Sequence, residues 1–222
     1  QAGSYWRSIG GSIYDFYDYH YLGVERTSGL PMYEITEKDY QEAVAQAAEE
    51  GIAFDESKYG QLEDGTRYAY ETGNASQVVL GKTAIPDLYG GLSTSLEFYG
   101  FDLNIQTAFQ IGGYVYDSFY GSLMGGGEYG TNWHKDIFKR WTPTNTETTV
   151  PRVEVNKQSL GLQGDATLTS ASYFSLRNIT LGYSFPKKWM NKAKIKTLRL
   201  YVVADNIALA TARKGLDPRQ SF

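Results

Sequence analysis

The sequence predicts an all-β fold: about five strands of a transmembrane antiparallel β-barrel segment, with long extracellular loops, one of which carries a short helix. Three observations predict it. The 222 residues include 19 Tyr, 10 Phe and 4 Trp, with 24 Gly and only 6 Pro, a profile of β-forming aromatics and many turns. Apolar and polar residues alternate with a period of two over strand-length stretches. Short and very long connections alternate along the chain, as they do in outer-membrane barrels.

Taken in order, residues 5–19 are the weakest strand, dense in Tyr and Trp with Gly10 and Gly11 mid-run. The first long link, residues 20–86, contains a helix over residues 36–50. Thr36 is its N-cap, Asp39 stands at the third position and Gly51 is the stop. Tyr40, Val44 and Ala47 give it a modest apolar face, so it lies on a loop surface, and Glu49 and Glu50 crowd the negative end of its dipole. The second strand, residues 84–98, sets Leu92, Thr94, Leu96 and Phe98 against Ser93, Ser95 and Glu97. Tyr99 and Gly100 turn the chain into residues 101–113, where Phe101, Leu103, Ile105, Thr107, Phe109 and Ile111 alternate with Asp102, Asn104, Gln106, Ala108 and Gln110. About ten alternating residues is the length that a tilted strand needs to cross hydrocarbon.

The second long link covers residues 114–171. Residues 171–185 follow, with Ile179, Leu181, Tyr183 and Phe185 on one face until Pro186, which has no donor, ends the ladder. Arg177 shares the parity of Ile179, an irregularity that a bulge or an interface position would account for. A short connection over residues 186–195 leads to the last strand, residues 196–210. There Leu198, Leu200, Val202 and Ala204 oppose Arg199, Tyr201, Val203 and Asp205, less cleanly because Tyr201 and Val203 are also apolar.

No stretch approaches the roughly 18–20 uncharged apolar residues of a spanning helix, and the mean hydropathy is −0.42. A barrel has such a value because its lipid-facing and lumen-facing residues average out. Two links too long for a compact soluble domain point the same way. The same alternation would suit a soluble β-sandwich with one face in a core, which keeps open a carbohydrate-binding module. The net charge of −4 carries no electrostatic footprint for nucleic acid. There is no Cys, hence no disulfide framework or thiolate site, and residues 1–7 do not read as a signal peptide.

No constellation for bond chemistry stands out, so no catalytic residue, cofactor or metal site is expected. Gly125, Gly126 and Gly127 lack a following Lys and Ser/Thr, and His20 and His134 are far apart in sequence. Asp15, Asp18 and Glu25 lack the ordered template of a calcium loop. The second long link is crowded with aromatics, among them Tyr114, Tyr116, Tyr120, Tyr129, Trp133 and Trp141. Their flat faces suit sugar rings or peptide side chains; interfacial girdle or internal packing is the alternative.

Five blocks resemble the C-terminal barrel region of SusC/RagA family TonB-linked transporters, in that family's order: GKTAIPDLYGG at residues 81–91, GFDLNIQTAFQIGGYVYD at 100–117, KRWTPTNTETTVPR at 139–152, ASYFSLRNITLGYSFP at 171–186, and LRLYVVADN with KGLDPR at 198–219. Residues 23–27, GVERT, depart from the GVDP-like step common in the family. The resemblance implies that residues 1–222 are the C-terminal part of a 22-stranded plugged barrel, with the plug and the last strand outside this sequence. It implies an outer-membrane importer of glycans or oligopeptides in a Bacteroidota-like Gram-negative cell, energised through TonB and paired with a SusD-like surface lipoprotein as lid, with outer-membrane lipid around the wall. Tyr116, Tyr120, Tyr129, Trp133 and Trp141 are then candidates for contact with substrate or lid. A non-transporting barrel or adhesin is the further alternative.

Overall fold

The computed structural model describes residues 5–125, 130–154, 157, 160–192, 194–213 and 215–220. The chain forms two units, Gln1–Thr83 with Tyr116–Leu168, and Ala84–Val115 with Thr169–Phe222.

The second unit is built on the alternating stretches. Strands β8 (Leu88–Phe98), β9 (Phe101–Ile111), β12 (Tyr173–Ser184) and β13 (Arg199–Thr211) form one antiparallel sheet in the order β13-β12-β9-β8. Tyr99 and Gly100 join β8 to β9 with φ of 47° and 87°. Two successive left-handed residues make the hairpin turn whose twist matches its strands, and the pairs Phe98↔Phe101 and Leu96↔Leu103 follow from it. In β12 the ladder to β9 steps from Leu176 to Asn178 while β9 steps only from Thr107 to Gln106, so Arg177 is an extra residue. This bulge resolves the parity break: Phe174 and Leu176 before it, and Ile179, Leu181 and Tyr183 after it, meet the same face of β9. β13 is irregular at the same level, where Asn206 has a φ of 50°.

The first unit contains a sheet of β1 (Tyr5–Trp6), β2 (Asp15–Tyr19) and β7 (Gln77–Thr83) in that order. A second sheet has the order β3-β4-β6-β5, from β3 (Tyr21–Val24), β4 (Pro31–Glu34), β5 (Tyr59–Gln61) and β6 (Arg67–Ala69). Tyr33 is fully buried there, and its hydroxyl donates to Gly161 O at 3.2 Å. Helix α1 (Glu37–Glu49) begins where the sequence places it: Thr36 Oγ1 accepts from Asp39 N at 3.2 Å, and Gly51 follows the last turn at φ 69°. Tyr40 of α1 packs with Phe54 and Tyr59, ring centroids 5.2–5.5 Å apart. Helix α2 (Ser118–Leu123) leads to a small core of Met124, Ile137, Val150 and Leu162. Strands β10 (Tyr114–Tyr116) and β11 (Leu168–Ser170) pair as a two-stranded ribbon.

Several sequence expectations are corrected. Residues 5–19 are not one strand but the short hairpin β1–β2, since Gly10, at φ 85°, and Gly11 break the run into a turn. The second long strand starts at Leu88 rather than at residue 84, because Pro86 has no donor for a ladder. The links over residues 20–86 and 114–171 are not structureless; they hold most of the first unit's strands and two of its helices. The connection after β12 contains a further short helix, α3 (Lys187–Lys192).

Candidate membrane-spanning wall and loop surface

The pairing of the four long strands writes rows of side chains across the sheet. On one face run Gly90–Phe109–Phe174–Ala210, Leu92–Thr107–Leu176–Ala208, Thr94–Ile105–Ile179–Ala204, Leu96–Leu103–Leu181–Val202 and Phe98–Phe101–Tyr183–Leu200. Every row is apolar apart from two threonines. This face is open: Leu92 and Phe98 are 70% exposed and Val202 73%. Four strands about 4.8 Å apart and about 36 Å long make a sheet face of roughly 700 Å² in projection, more than the largest apolar patch a typical soluble monomer exposes. Tilted by about 40°, such strands reach roughly 28 Å, close to the ~25 Å apolar band of outer-membrane barrels. A sandwich sheet would bury this face under a second layer.

The other face is polar over β9 and β12. Ser95–Asn104–Thr180 and Ser93–Gln106–Asn178 are two of its rows, bordering a basin of about 540 Å³. Arg199 holds Asp102 with two prongs, Nε to Oδ1 at 3.0 Å and Nη2 to Oδ2. Gly182 lies between them on the ladder, where a Cβ would collide with both side chains. Asn178 Nδ2 donates to Asp205 Oδ1 at 2.7 Å, and Asn178 Oδ1 accepts from Thr180 Oγ1 at 3.0 Å. On β13 the same face carries Tyr201, Val203 and Leu209, all at least 36% exposed. A face of hydrogen-bonded polar groups backed by an apolar face is the two-sided arrangement of a barrel wall.

The first unit holds the predicted contact residues, and each described one has an intramolecular role. Tyr116 Oη donates to Asp18 Oδ2 at 2.7 Å, and its ring meets Phe16 edge-on at 5.1 Å; burial and the Asp18 carboxylate push its phenol pKa up. Tyr120 sits edge-on to His134 at 4.9 Å and, with Trp133, packs on the small core. Trp141 Nε1 donates to Arg26 O at 3.0 Å, and its indole covers Gly29, whose φ of 74° and lack of a Cβ admit the ring. Tyr129 lies outside the described residues. The aromatic surface is thus half-buried packing. Beside it, a cleft of about 740 Å³ runs along β3, with Arg26, Phe138 and Glu147 among its lining. Phe138 is 82% exposed; single-residue exposure on a short turn has no periodic signal that sequence reading could find.

Two carboxylates organise this unit without any motif announcing them. Glu25 accepts from Ser28, from Tyr70 at 2.8 Å and from Tyr68 at 3.3 Å. Burial pushes the Glu25 pKa up, and these hydrogen bonds outweigh it to hold the carboxyl below its usual range. The Asp165 side chain is 7% exposed and accepts from Tyr21 N at 2.8 Å, from His20 Nδ1 at 3.0 Å and from Lys82 Nζ at 3.3 Å. His134 caps a 3₁₀ turn, accepting from Asp136 N at 3.2 Å. Asp15 accepts from Ser12 N at 2.9 Å, so the acidic residues of the considered calcium loop, Asp15, Asp18 and Glu25, are each engaged by protein donors.

No family model matches the sequence. TonB-dependent receptor P3 of Formosa agariphila is 27% identical over 213 residues, 96% of this chain and 19% of that protein. TonB-dependent receptor SusC of Bacteroides thetaiotaomicron is 25% identical over 170 residues, 76% of this chain and 15% of that protein. A solved structure of the RagAB peptide importer in the closed-closed state superposes with a TM-score of 0.67 at 24% identity, covering 92% of this chain and 20% of that one. A structure of the RagAB peptide transporter gives a TM-score of 0.65 over the same shares. The chain spans about a fifth of the length of the foremost relatives it matches. Along nearly all of its length this chain is similar to TonB-dependent receptors of the SusC type, and its wall of long antiparallel strands shares the fold of a segment of the RagAB β-barrel.

Proposed function

We propose that this chain supplies wall and extracellular loops, as the C-terminal part of the barrel, to an outer-membrane importer of glycans or oligopeptides. Import is energised through TonB by way of a plug outside this chain, and a SusD-like surface lipoprotein closes the lumen from above. The observation that carries the reading is the sheet's open apolar face backed by hydrogen-bonded polar rows. The role is non-enzymatic: wall residues orient a path and exclude lipid from it. The first unit belongs to the loops on the outer side, and the rim of the cleft along β3, with Arg26 and Phe138 in its lining, is the surface offered to substrate or lid, with Trp141 hydrogen-bonded to Arg26 O. Tyr120 and Trp133 pack on the small core beside Ile137 and Val150, and Tyr116 is tied to Asp18 of β2.

The test uses cells that express the full receptor with and without its lipoprotein. Uptake of labelled oligopeptides and of labelled oligosaccharides is measured before and after the proton gradient is collapsed. Uptake of one class that requires both the receptor and the gradient is expected. Gradient-independent uptake removes the TonB part of the reading, and no receptor-dependent uptake of either class removes import. A water-soluble, monomeric segment obtained without detergent sinks the membrane reading itself.

A further inference from the structure

The connection between β12 and β13 carries a charge pattern that the wall does not use. Residues 185–198 contain five lysines, Lys187, Lys188, Lys192, Lys194 and Lys196, and no acidic residue. All five are exposed, and none forms an ion pair among the described residues. Glu97 and Asp102, on the strands that the Tyr99–Gly100 turn joins, line the polar basin, where Arg199 already holds Asp102. Backbone hydrogen bonds close its described parts. Phe185 N donates to Leu198 O at 3.0 Å, closing its base, and Ile195 N donates to Met190 O at 3.0 Å, closing α3. Lys194 takes the left-handed position of that helix end, at φ 56°, where glycine is the usual residue.

What surrounds the lysines says what they face. Ser184 N donates to Gly100 O at 2.7 Å, so this connection and the Tyr99–Gly100 turn share one end of the sheet. That end carries a band of rings: Phe98 on Tyr99 at 4.3 Å, Phe101 on Tyr183 at 4.6 Å, and Tyr183 on Phe185 at 5.0 Å. Phe98, Phe101 and Tyr183 close the apolar rows, and Trp189 stands 57% exposed among the lysines. Apolar rows, then rings, then ammonium groups is the order of hydrocarbon, interface and headgroup layers. A lysine run facing only water would have no reason to continue the apolar face through an aromatic band.

We propose that this connection is a binding site for the phosphate headgroups of anionic phospholipids in the leaflet it borders, with Lys187, Lys188, Lys192, Lys194 and Lys196 supplying charge and Trp189 lying at the glycerol level. The proposal rests on the transmembrane reading of the sheet and adds headgroup selectivity to it.

The full receptor is reconstituted in nanodiscs of equal parts phosphatidylglycerol and phosphatidylcholine, and the lipids retained on release are counted by native mass spectrometry. Wild type is expected to retain phosphatidylglycerol over phosphatidylcholine by more than about fivefold, the effect of one lysine fully engaged near an anionic surface. Replacing all five lysines with glutamine should bring the ratio to about one, replacing them with arginine should keep it, and Lys38→Gln with Lys58→Gln in the first unit should leave it unchanged. Equal retention in wild type, or enrichment that survives the glutamine variant, overturns the proposal. Displacement of the lipid by inorganic phosphate matched to the headgroup concentration overturns it in favour of a free-anion site. The transmembrane reading fails separately, by a receptor that does not insert even into phosphatidylcholine discs.

Discussion

Replacing one residue on β9 tests the wall more sharply than any deletion, because neighbours in sequence lie on opposite faces. Ile105 stands in the Thr94–Ile105–Ile179–Ala204 row and Gln106 beside it borders the polar basin. Ile105 is four steps from Phe101 at the ring-bearing end. At about 3.3 Å per residue and a tilt of about 40°, it lies roughly 10 Å up a band about 25 Å tall, close to the midplane. Arginine on the lipid face there costs about 2–4 kcal/mol, a factor of roughly 30 to 900 in the folding equilibrium. Gln106→Arg keeps its charge beside water and polar partners and should cost less than about 1 kcal/mol. The assay is folding of the full receptor into lipid vesicles followed through a urea titration, with heat-modifiable gel mobility as the readout of the closed barrel. Equal tolerance of the two substitutions, or a larger penalty at Gln106, would refute the assignment of faces.

Acidification should loosen the first unit through Glu25. Its folded pKa is depressed, so its contribution is present above the unfolded value near 4.3 and is lost as pH falls through the lower, folded value; amide exchange around β3 and β6 should accelerate below about pH 4 in wild type, and Glu25→Gln should flatten that pH dependence. Asp165→Ala removes the acceptor of Tyr21 N, His20 and Lys82 and should cost about 1–3 kcal/mol, read as lost protection of the Tyr21 amide, since that N–H loses its acceptor while His20 and Lys82, 43% and 33% exposed, keep access to water. Gly29→Ala must displace the Trp141 ring, which lies 2.5 Å from the Cβ position, and should lower the thermal stability of the first unit and shift Trp fluorescence, whereas Gly51→Ala meets no neighbour and should cost only the left-handed penalty of about 1 kcal/mol.

The long strands were legible because a period of two over eleven or more residues leaves little freedom of register. Arg177 shows that an irregularity can be located in the sequence but not explained there: a charged residue on the wrong parity left a bulge and an interface position open, and the register of β12 against β9 decides for the bulge. Helix α1 was equally open, since Thr36, Asp39 and Gly51 act through local backbone groups. The sheet β3-β4-β6-β5 was hidden because strands of three or four residues are too short to display a period. Its order is set by Tyr33 and by carboxylates such as Glu25, whose partners lie more than forty positions away. The aromatic residues of the second link were visible as a cluster, but whether a ring packs inward or faces solvent depends on neighbours such as Gly29 and Met124 that no spacing rule connects to them.

The extra residue at Arg177 gives β12 a length reserve. Taking one residue out of an ordinary wall strand turns everything beyond the cut inside out, placing Asn and Thr against lipid and Leu against water. Removing Arg177 instead brings Leu176 and Asn178 onto adjacent partners of β9 and leaves both halves of the strand facing as before. Genes in which this strand is one codon shorter should therefore encode the same wall, and deletion of Arg177 should fold where deletion of Thr180 does not.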